Sequence, residues 1–249
     1  MRLADKIAVI TGAAGILGDA TARRFAAEGA RLVLVDRDAD RLARNAAAFE
    51  ADRVATCVAD VARTEDMERV ARTALDRFGR IDIFFANAGI EGQAAALSDY
   101  ADETFDRVME VNVRGVYVGV RVMLPYMSEG GAVLLTSSVA GLIGMPLNVA
   151  YTASKHAVVG IRRACAAIAG PRGIRVNSIH PGFVDSEMVM RLVAQHADAE
   201  ASLDAMRARA LLGRLVQPDE IASAALFLVS DEARAITNHG LVVDCGVQP

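Results

Sequence analysis

Ile7-Ala8-Val9-Ile10-Thr11-Gly12-Ala13-Ala14-Gly15-Ile16-Leu17-Gly18 is the stretch whose reading decides the fold. Its first five residues are apolar or β-branched and end at a glycine, which is the pattern of a buried strand running into a turn. From 17 to 28 the apolar positions turn helical, and Gly29 stands where a helix ends. A strand, a glycine-rich turn and a helix in that order point backbone N–H groups at one spot, where a pyrophosphate can sit. Gly12, Gly15, Ile16, Leu17 and Gly18 are the residues of that turn. Glycine-rich turns are common, and the position directly after the first strand gives this one its weight.

Asp36 ends the next apolar run, 31–36. It falls about 20 residues beyond the turn, where a carboxylate accepts from both hydroxyls of an adenosine ribose. The same carboxylate repels a 2′-phosphate, so NAD is favoured over NADP. Arg37 beside it has the charge to bind that phosphate, and it is read first as an exposed side chain.

Further along, strand and helix patterns keep alternating. Strands are expected at 54–58, 81–86, 132–136, 174–179 and 241–244, and helices at 39–50, 65–78, 102–127, 148–169 and 218–230. The strands are continuous apolar runs, as burial on both faces of a parallel sheet requires. The fold class is therefore α/β: a doubly wound, parallel, seven-stranded sheet with helices on both faces, in one domain over 1–249. Residues 185–212 are irregular and rich in Met and Ala. They follow the sixth strand and would lie over the carboxyl ends of the sheet, as a lid on a substrate or as a plain surface helix pair.

Composition narrows the function classes. A net charge of −4 with no Lys/Arg cluster argues against a nucleic-acid partner. No apolar stretch is long enough to span a membrane, and the N-terminal residues show no signal-peptide core. Three scattered cysteines, Cys57, Cys165 and Cys245, suit reduced thiols, and the expected location is cytoplasmic. Neither the cysteines nor the four histidines are spaced as metal ligands, so no metal is expected.

Tyr151 and Lys155 carry the chemistry. Four apart on an expected helix, they share one face. A free phenol titrates near 10 and is a poor base at neutral pH. Lowering that value by about 2–3 units takes roughly 3–4 kcal/mol of preference for the phenolate. A lysine charge about 4 Å away supplies roughly that at an effective dielectric of about 20. The pair suits proton transfer to or from an alcohol or carbonyl oxygen. Ser138 lies upstream, at the end of an apolar run.

With these residues in place, the chain resembles the short-chain dehydrogenase/reductase family, in its compact single-domain branch. The resemblance rests on Thr11-Gly12…Gly18, Asp60-Val61, Asn87-Ala88-Gly89, Asn112, Ser137-Ser138, Tyr151…Lys155, Asn177…Pro181-Gly182 and Val243-Asp244-Cys245-Gly246, in the family's order over nearly the whole length. It implies hydride transfer between a nicotinamide cofactor and a secondary alcohol or ketone. Tyr151 is then the general acid/base, and Lys155 tunes it and binds the nicotinamide ribose. Ser138 holds the substrate oxygen, and Asn112 helps hold a proton-relaying water. Asp60 and Val61 lie against the adenine, and Asn87, Ala88 and Gly89 beside the adenosine ribose. Pro181, Gly182, Val184 and Ser186 hold the nicotinamide carboxamide. His180, before Pro181, is read as structural. The resemblance also implies a homotetramer built on the two long helices.

Several positions depart from the family's pattern. Ile16 stands where the phosphate loop usually has glycine, so that residue must keep φ negative or strain the turn. Ala86 replaces a common asparagine, and Ser186 a threonine whose hydroxyl it keeps. Asn238 and Cys245 each replace a glycine near the C-terminal turn.

The expected substrate wall is Leu142, Met145, Asn148 and Met188, mostly apolar and adaptable. With Ser138 and Tyr151 it suits an alcohol or ketone on a sizeable apolar, even alicyclic, body. Glu91, Gln93 and Asn148 are candidates for polar contacts. The alternatives are a dinucleotide-binding redox sensor without turnover, an NADP-dependent carbonyl reductase, and a dehydratase or epimerase using the cofactor transiently. Retention of Asn112, Ser138, Tyr151 and Lys155 together argues against the sensor.

Overall fold

A computed structural model describes residues 1–195 and 198–247; His196 and Ala197, inside the 185–212 segment, and Gln248 and Pro249 lie outside the described residues. The apolar runs become strands β1 (Ile7–Thr11), β2 (Arg31–Asp36), β3 (Val54–Val58), β4 (Ile81–Ala86), β5 (Met127–Thr136), β6 (Arg175–Pro181) and β7 (Gly240–Val243). They form one parallel sheet in the order β3-β2-β1-β4-β5-β6-β7. The helices are α1 (Ile16–Ala27), α2 (Ala39–Ala46), α3 (Thr64–Phe78), α4 (Asp102–Met109), α5 (Gly115–Met123), α6 (Val149–Ala169), α7 (Glu187–Val193), α8 (Ala199–Arg209) and α9 (Pro218–Val229).

Successive strand residues feed opposite faces. Val9, Val33 and Phe84 pack with Met67 and Val70 of α3 and Val158 of α6. Ile10, Leu34 and Phe85 pack with Phe25 of α1 and Leu226 of α9. Each such fully buried side chain contributes about 1.5–3 kcal/mol through area removed from water. This two-sided burial is why the strands read as unbroken apolar runs.

The chain runs β1, β2, β3 outward and then returns to place β4 on the other side of β1. The connections leaving β1 and β4 diverge there, which opens a crevice beyond their carboxyl ends. That crevice holds the site.

The single long helix expected at 102–127 is a correction. It is divided into α4 and α5 by a π-helical turn at Glu110–Arg114. Asn112 sits in this turn, fully buried. Its side chain accepts from the Ile90 N–H at 2.8 Å and donates to the Ile90 carbonyl at 2.9 Å. The widened turn and this two-way pairing go together, and single π turns of this kind recur at functional sites. Pro125 has no N–H to continue the helix, and Met127 already pairs with Ile81 as the start of β5. Among the described residues, no helix is long and apolar enough to cross a membrane.

Candidate active site

The glycine turn keeps its strain in one residue. Gly12 has φ +67°, the left-handed region that favours glycine. Gly15 is extended at φ −77° and caps α1, and Ile16 is the first helical residue with φ in the ordinary negative range. The departure at Ile16 therefore leaves the turn unstrained. Gly18 does not line the cavity. Its role is close approach, since a Cβ there would lie 2.2 Å from the Gly12 carbonyl oxygen. Ile16 and Leu17 bring the start of α1 to the cavity, where the first backbone N–H groups have no helical acceptor.

One cavity of about 320 Å³ runs from this turn to Tyr151. Asp36 and Arg37 line its outer end, followed by Asp60, Val61 and Asn87 to Gly89. The Asp36 carboxylate accepts from Ala14 N at 3.0 Å and Asp38 N at 3.1 Å. Two of its roughly four acceptor positions are thus used for orientation, and two remain for ribose hydroxyls. Asn87 ties the strand ends together, donating to the carbonyls of Thr11 (3.2 Å) and Gly12 (3.4 Å) and accepting from Thr136 Oγ1 (3.2 Å). Pro181, Gly182, Val184 and Ser186 line the opposite wall.

At the inner end, α6 presents Tyr151 and Lys155 one turn apart, and β5 delivers Ser138. The Ser138 hydroxyl lies close enough to the Tyr151 phenol to lower its pKa. Ser137 instead turns away and donates to the Lys155 carbonyl at 2.9 Å, so the two adjacent serines have separate jobs. Asn112 donates to Ser154 Oγ at 3.0 Å, which donates in turn to the Tyr151 carbonyl at 2.7 Å. Gly89 leaves room for this group: a Cβ there would lie 3.2 Å from Asn112 Oδ1 and 3.4 Å from Lys155 Nζ.

The electrostatics differ from the sequence expectation. Burial pushes the Tyr151 phenol up to about 12, against a smaller lowering by the Ser138 hydrogen bond, and Glu91 pushes it further up. Burial also holds the Lys155 ammonium down at about 8. The reason is geometric. Lys155 Nζ donates to the Thr136 carbonyl at 2.9 Å and stands 5.4 Å from the centroid of the Tyr151 ring, so part of its charge is spent on Thr136. In this state the Tyr151 phenol keeps its proton at neutral pH.

Met145, Asn148 and Met188 line the substrate end, while Leu142 does not; it is half exposed. Asn148 Nδ2 donates to the Gln93 carbonyl at 3.4 Å. The irregular segment divides in function: α7 contributes Met188, Val189 and Leu192 to the cavity wall, while α8 buries no residue. Two ion pairs clamp α7. Glu187 takes both terminal nitrogens of Arg41 at 2.8 Å, and Arg191 Nε meets Glu91 at 2.7 Å. The sequence reading passed over Arg41, Glu187, Arg191 and Thr136. Nothing local marks the three charged residues, because their partners are far away in the chain.

His180 is buried at the end of β6 and held at about 4, chiefly by burial, with Arg162, Lys155 and His239 all opposing a further positive charge. A histidine that stays neutral when folded but titrates near 6.5 when unfolded stabilises the fold fully above about 6.5. That stability is lost as pH falls toward 4, by an amount on the order of 3 kcal/mol. The thermal midpoint is accordingly expected to drop between pH 6.5 and 4, with a flatter profile in His180→Asn. Parallel profiles for the two proteins would reject His180 as the titrating group.

The family model described as Enoyl-(Acyl carrier protein) reductase matches residues 12–248. An A-factor type gamma-butyrolactone 1'-reductase (1S-forming) of Streptomyces virginiae is 40% identical, over 98% of this chain and 96% of its own. Levodione reductase of Leifsonia aquatica is 38% identical, over 98% and 95%. A crystal structure of levodione reductase superposes with a TM-score of 0.94 at 37% identity, covering 98% of both chains. That of a 3-ketoacyl-(acyl-carrier-protein) reductase from Brucella melitensis complexed with NADH gives 0.90 at 33%, again over 98% of both.

Proposed function

This chain belongs to the short-chain dehydrogenase/reductase family, and from that premise we propose that it moves a hydride between NAD(H) and a ketone or secondary alcohol on a compact, largely apolar body. The carrying observation is that one cavity joins Asp36 to Ser138, Tyr151 and Lys155. The residues fit a dinucleotide. Gly12 lets the turn close against the segment after β4, where a Cβ would strike Ala88 at 2.8 Å, and Asp36 keeps acceptors for a ribose. The nicotinamide group supplies or takes the hydride; this chain's residues orient it and manage the proton.

In the reducing direction, Ser138 receives the substrate oxygen and Tyr151 gives it the phenolic proton. A phenol that holds its proton up to about 12 is in the donating form at neutral pH. Lys155, charged below about 8, then favours the phenolate left behind. Asn112, fixed between Ile90 and Ser154, holds the backbone around Lys155 and the approach for proton return. In the oxidising direction the same proton returns to Tyr151.

Two facts support a compact neutral substrate. Met145 and Met188 give adaptable apolar walls, and the cavity's Arg41 and Arg191 are each occupied by a carboxylate. Two of the relatives are named as reductases of an A-factor type γ-butyrolactone and of levodione. Asp36 supports NAD, because a carboxylate at that place repels a 2′-phosphate.

The test is an initial-rate panel of cyclic and open-chain ketones, secondary alcohols and a β-ketoacyl thioester, with NAD(H) and NADP(H) side by side. Turnover of ketones with NADH preferred is the expected result; turnover confined to the thioester would reject the compact substrate. Dinucleotide binding with no turnover of any member would favour the sensor alternative. Asp36→Ala should weaken NAD(H) and narrow its lead over NADP(H) by roughly tenfold or more, as removal of charge-assisted hydrogen bonds of about 1.5–3 kcal/mol implies. Unchanged selectivity would transfer the choice to Arg37 or Arg41.

A further inference from the structure

Behind the cavity wall, a line of hydrogen bonds runs from α6 to Ser138. Arg162 Nη1 donates to Ser178 Oγ at 3.2 Å, Ser178 Oγ meets His180 Nε2 at 2.8 Å, and His180 Nδ1 meets the Ser138 carbonyl at 3.1 Å. A guanidinium has no acceptor, so Ser178 Oγ accepts from it; burial keeps the His180 ring neutral, so Ser178 turns its own hydrogen to Nε2. A carbonyl has no hydrogen to give, so Nδ1 carries the imidazole proton. With the ring neutral, both ends of the line fit one tautomer of His180, the proton on Nδ1.

The line is built at some expense to the fold. Arg162 is 7% exposed and leaves its Nε without a hydrogen-bond partner among the described residues. A buried donor left without a partner is destabilising. Gly240 on β7 leaves space for the line: a Cβ there would stand 2.5 Å from His180 Nε2 and 2.6 Å from Arg162 Nη1. A histidine that merely filled space would need neither feature.

The far end of the line grips Ser138. Its carbonyl takes the His180 proton, its Oγ accepts from Ala140 N at 3.1 Å, and its hydroxyl faces the Pro181 carbonyl at 3.4 Å. His180 and Pro181 are consecutive residues of β6, so one strand end holds Ser138 by both its backbone and its side chain.

We propose that His180, locked as a neutral donor by Ser178 and Arg162, is a positioning residue that fixes Ser138 and, through it, the substrate oxygen opposite Tyr151. This rests on the reading of Ser138 as the group that holds the substrate oxygen. Displacement of a reacting group by about 1 Å costs up to roughly 10²-fold in rate, so the effect belongs in kcat and not in dinucleotide affinity.

The test is a double-mutant cycle on the full chain, with kcat, substrate KM, dinucleotide Kd and thermal midpoint measured together. His180→Leu, which removes the donor, is expected to lower kcat by roughly 10- to 100-fold with dinucleotide Kd unchanged. His180→Asn keeps an N–H near the Nδ1 position and should recover kcat to within about threefold of the parent protein. In a Ser138→Ala background, His180→Leu should lower kcat no further, because the group it positions is gone. Gly240→Ala, which leaves the three side chains of the line intact but crowds Arg162 and His180, should reproduce the kcat loss even if His180→Leu folds poorly. Equal losses with and without Ser138, or a kcat unchanged in both His180→Leu and Gly240→Ala, would overturn the positioning role. Full turnover in Ser138→Ala would instead overturn the reading of Ser138, and the proposal with it.

Discussion

Tyr151→Phe is expected to lower turnover by about 10³-fold or more while dinucleotide affinity stays within about twofold. The substitution removes only the phenolic oxygen, and general acid–base groups contribute roughly 10²–10⁴-fold. No other side chain takes its place. Ser138 is a hydroxyl without a base of its own, and Lys155 is committed to the Thr136 carbonyl. The ring itself stays, so its face still meets Lys155 and the first turn of α6 keeps its packing. Steady-state rates on the best ketone, alongside a fluorescence titration of the dinucleotide, separate the two effects. Turnover within tenfold of the parent protein would remove Tyr151 from the acid/base role. A parallel collapse of dinucleotide binding would mean that the phenol serves mainly to hold cofactor.

Gly18→Ala is expected to weaken dinucleotide binding by about 10²-fold and to lower stability by about 1–3 kcal/mol. The added Cβ would lie 2.2 Å from the Gly12 oxygen, 2.7 Å from Ala13 Cα and 2.8 Å from the Gly12 carbonyl carbon. All three are backbone atoms of the turn, so no side chain can swing aside. Either α1 retreats from β1 or the turn is displaced, and each moves the N–H groups that would face a pyrophosphate. Gly15→Ala is the control, because its nearest contact would be a single oxygen at 3.3 Å and its φ of −77° suits any residue. Isothermal titration of both variants with NADH checks the contrast. Equal, small losses would show that close packing of α1 on the turn is dispensable.

Much of this site was legible because its signals are local or regularly spaced. Strand, turn and helix around Gly12 follow from a β-branched run, a glycine and a change of period. Tyr151 and Lys155 follow from helical spacing, and Asp36 from its distance beyond the turn. The two glycine replacements flagged near the C-terminus, Asn238 and Cys245, both have φ +57°, so the glycine pattern marked left-handed backbone that this chain fills with other residues. Asparagine tolerates that region, while a cysteine there is unusual.

What escaped the sequence depends on partners brought together from far apart. Arg41 with Glu187 and Glu91 with Arg191 clamp α7 across the cavity, yet each charge alone reads as a solvated helix face. The helix over 102–127 looks continuous because the π turn at Asn112 is demanded by Ile90, a residue of another segment. The direction of the Tyr151 shift also reversed. Spacing puts Lys155 on the right face, but only the fold turns its ammonium to Thr136 and buries the phenol.

The sequence by itself therefore determined the family and the parallel doubly wound sheet, since periodicity, glycine placement and motif order are properties of the chain. Only the tertiary structure decided how the groups at the site are charged and held. Desolvation, hydrogen-bond direction and long-range ion pairing depend on which atoms surround a side chain, and folding alone assembles those surroundings.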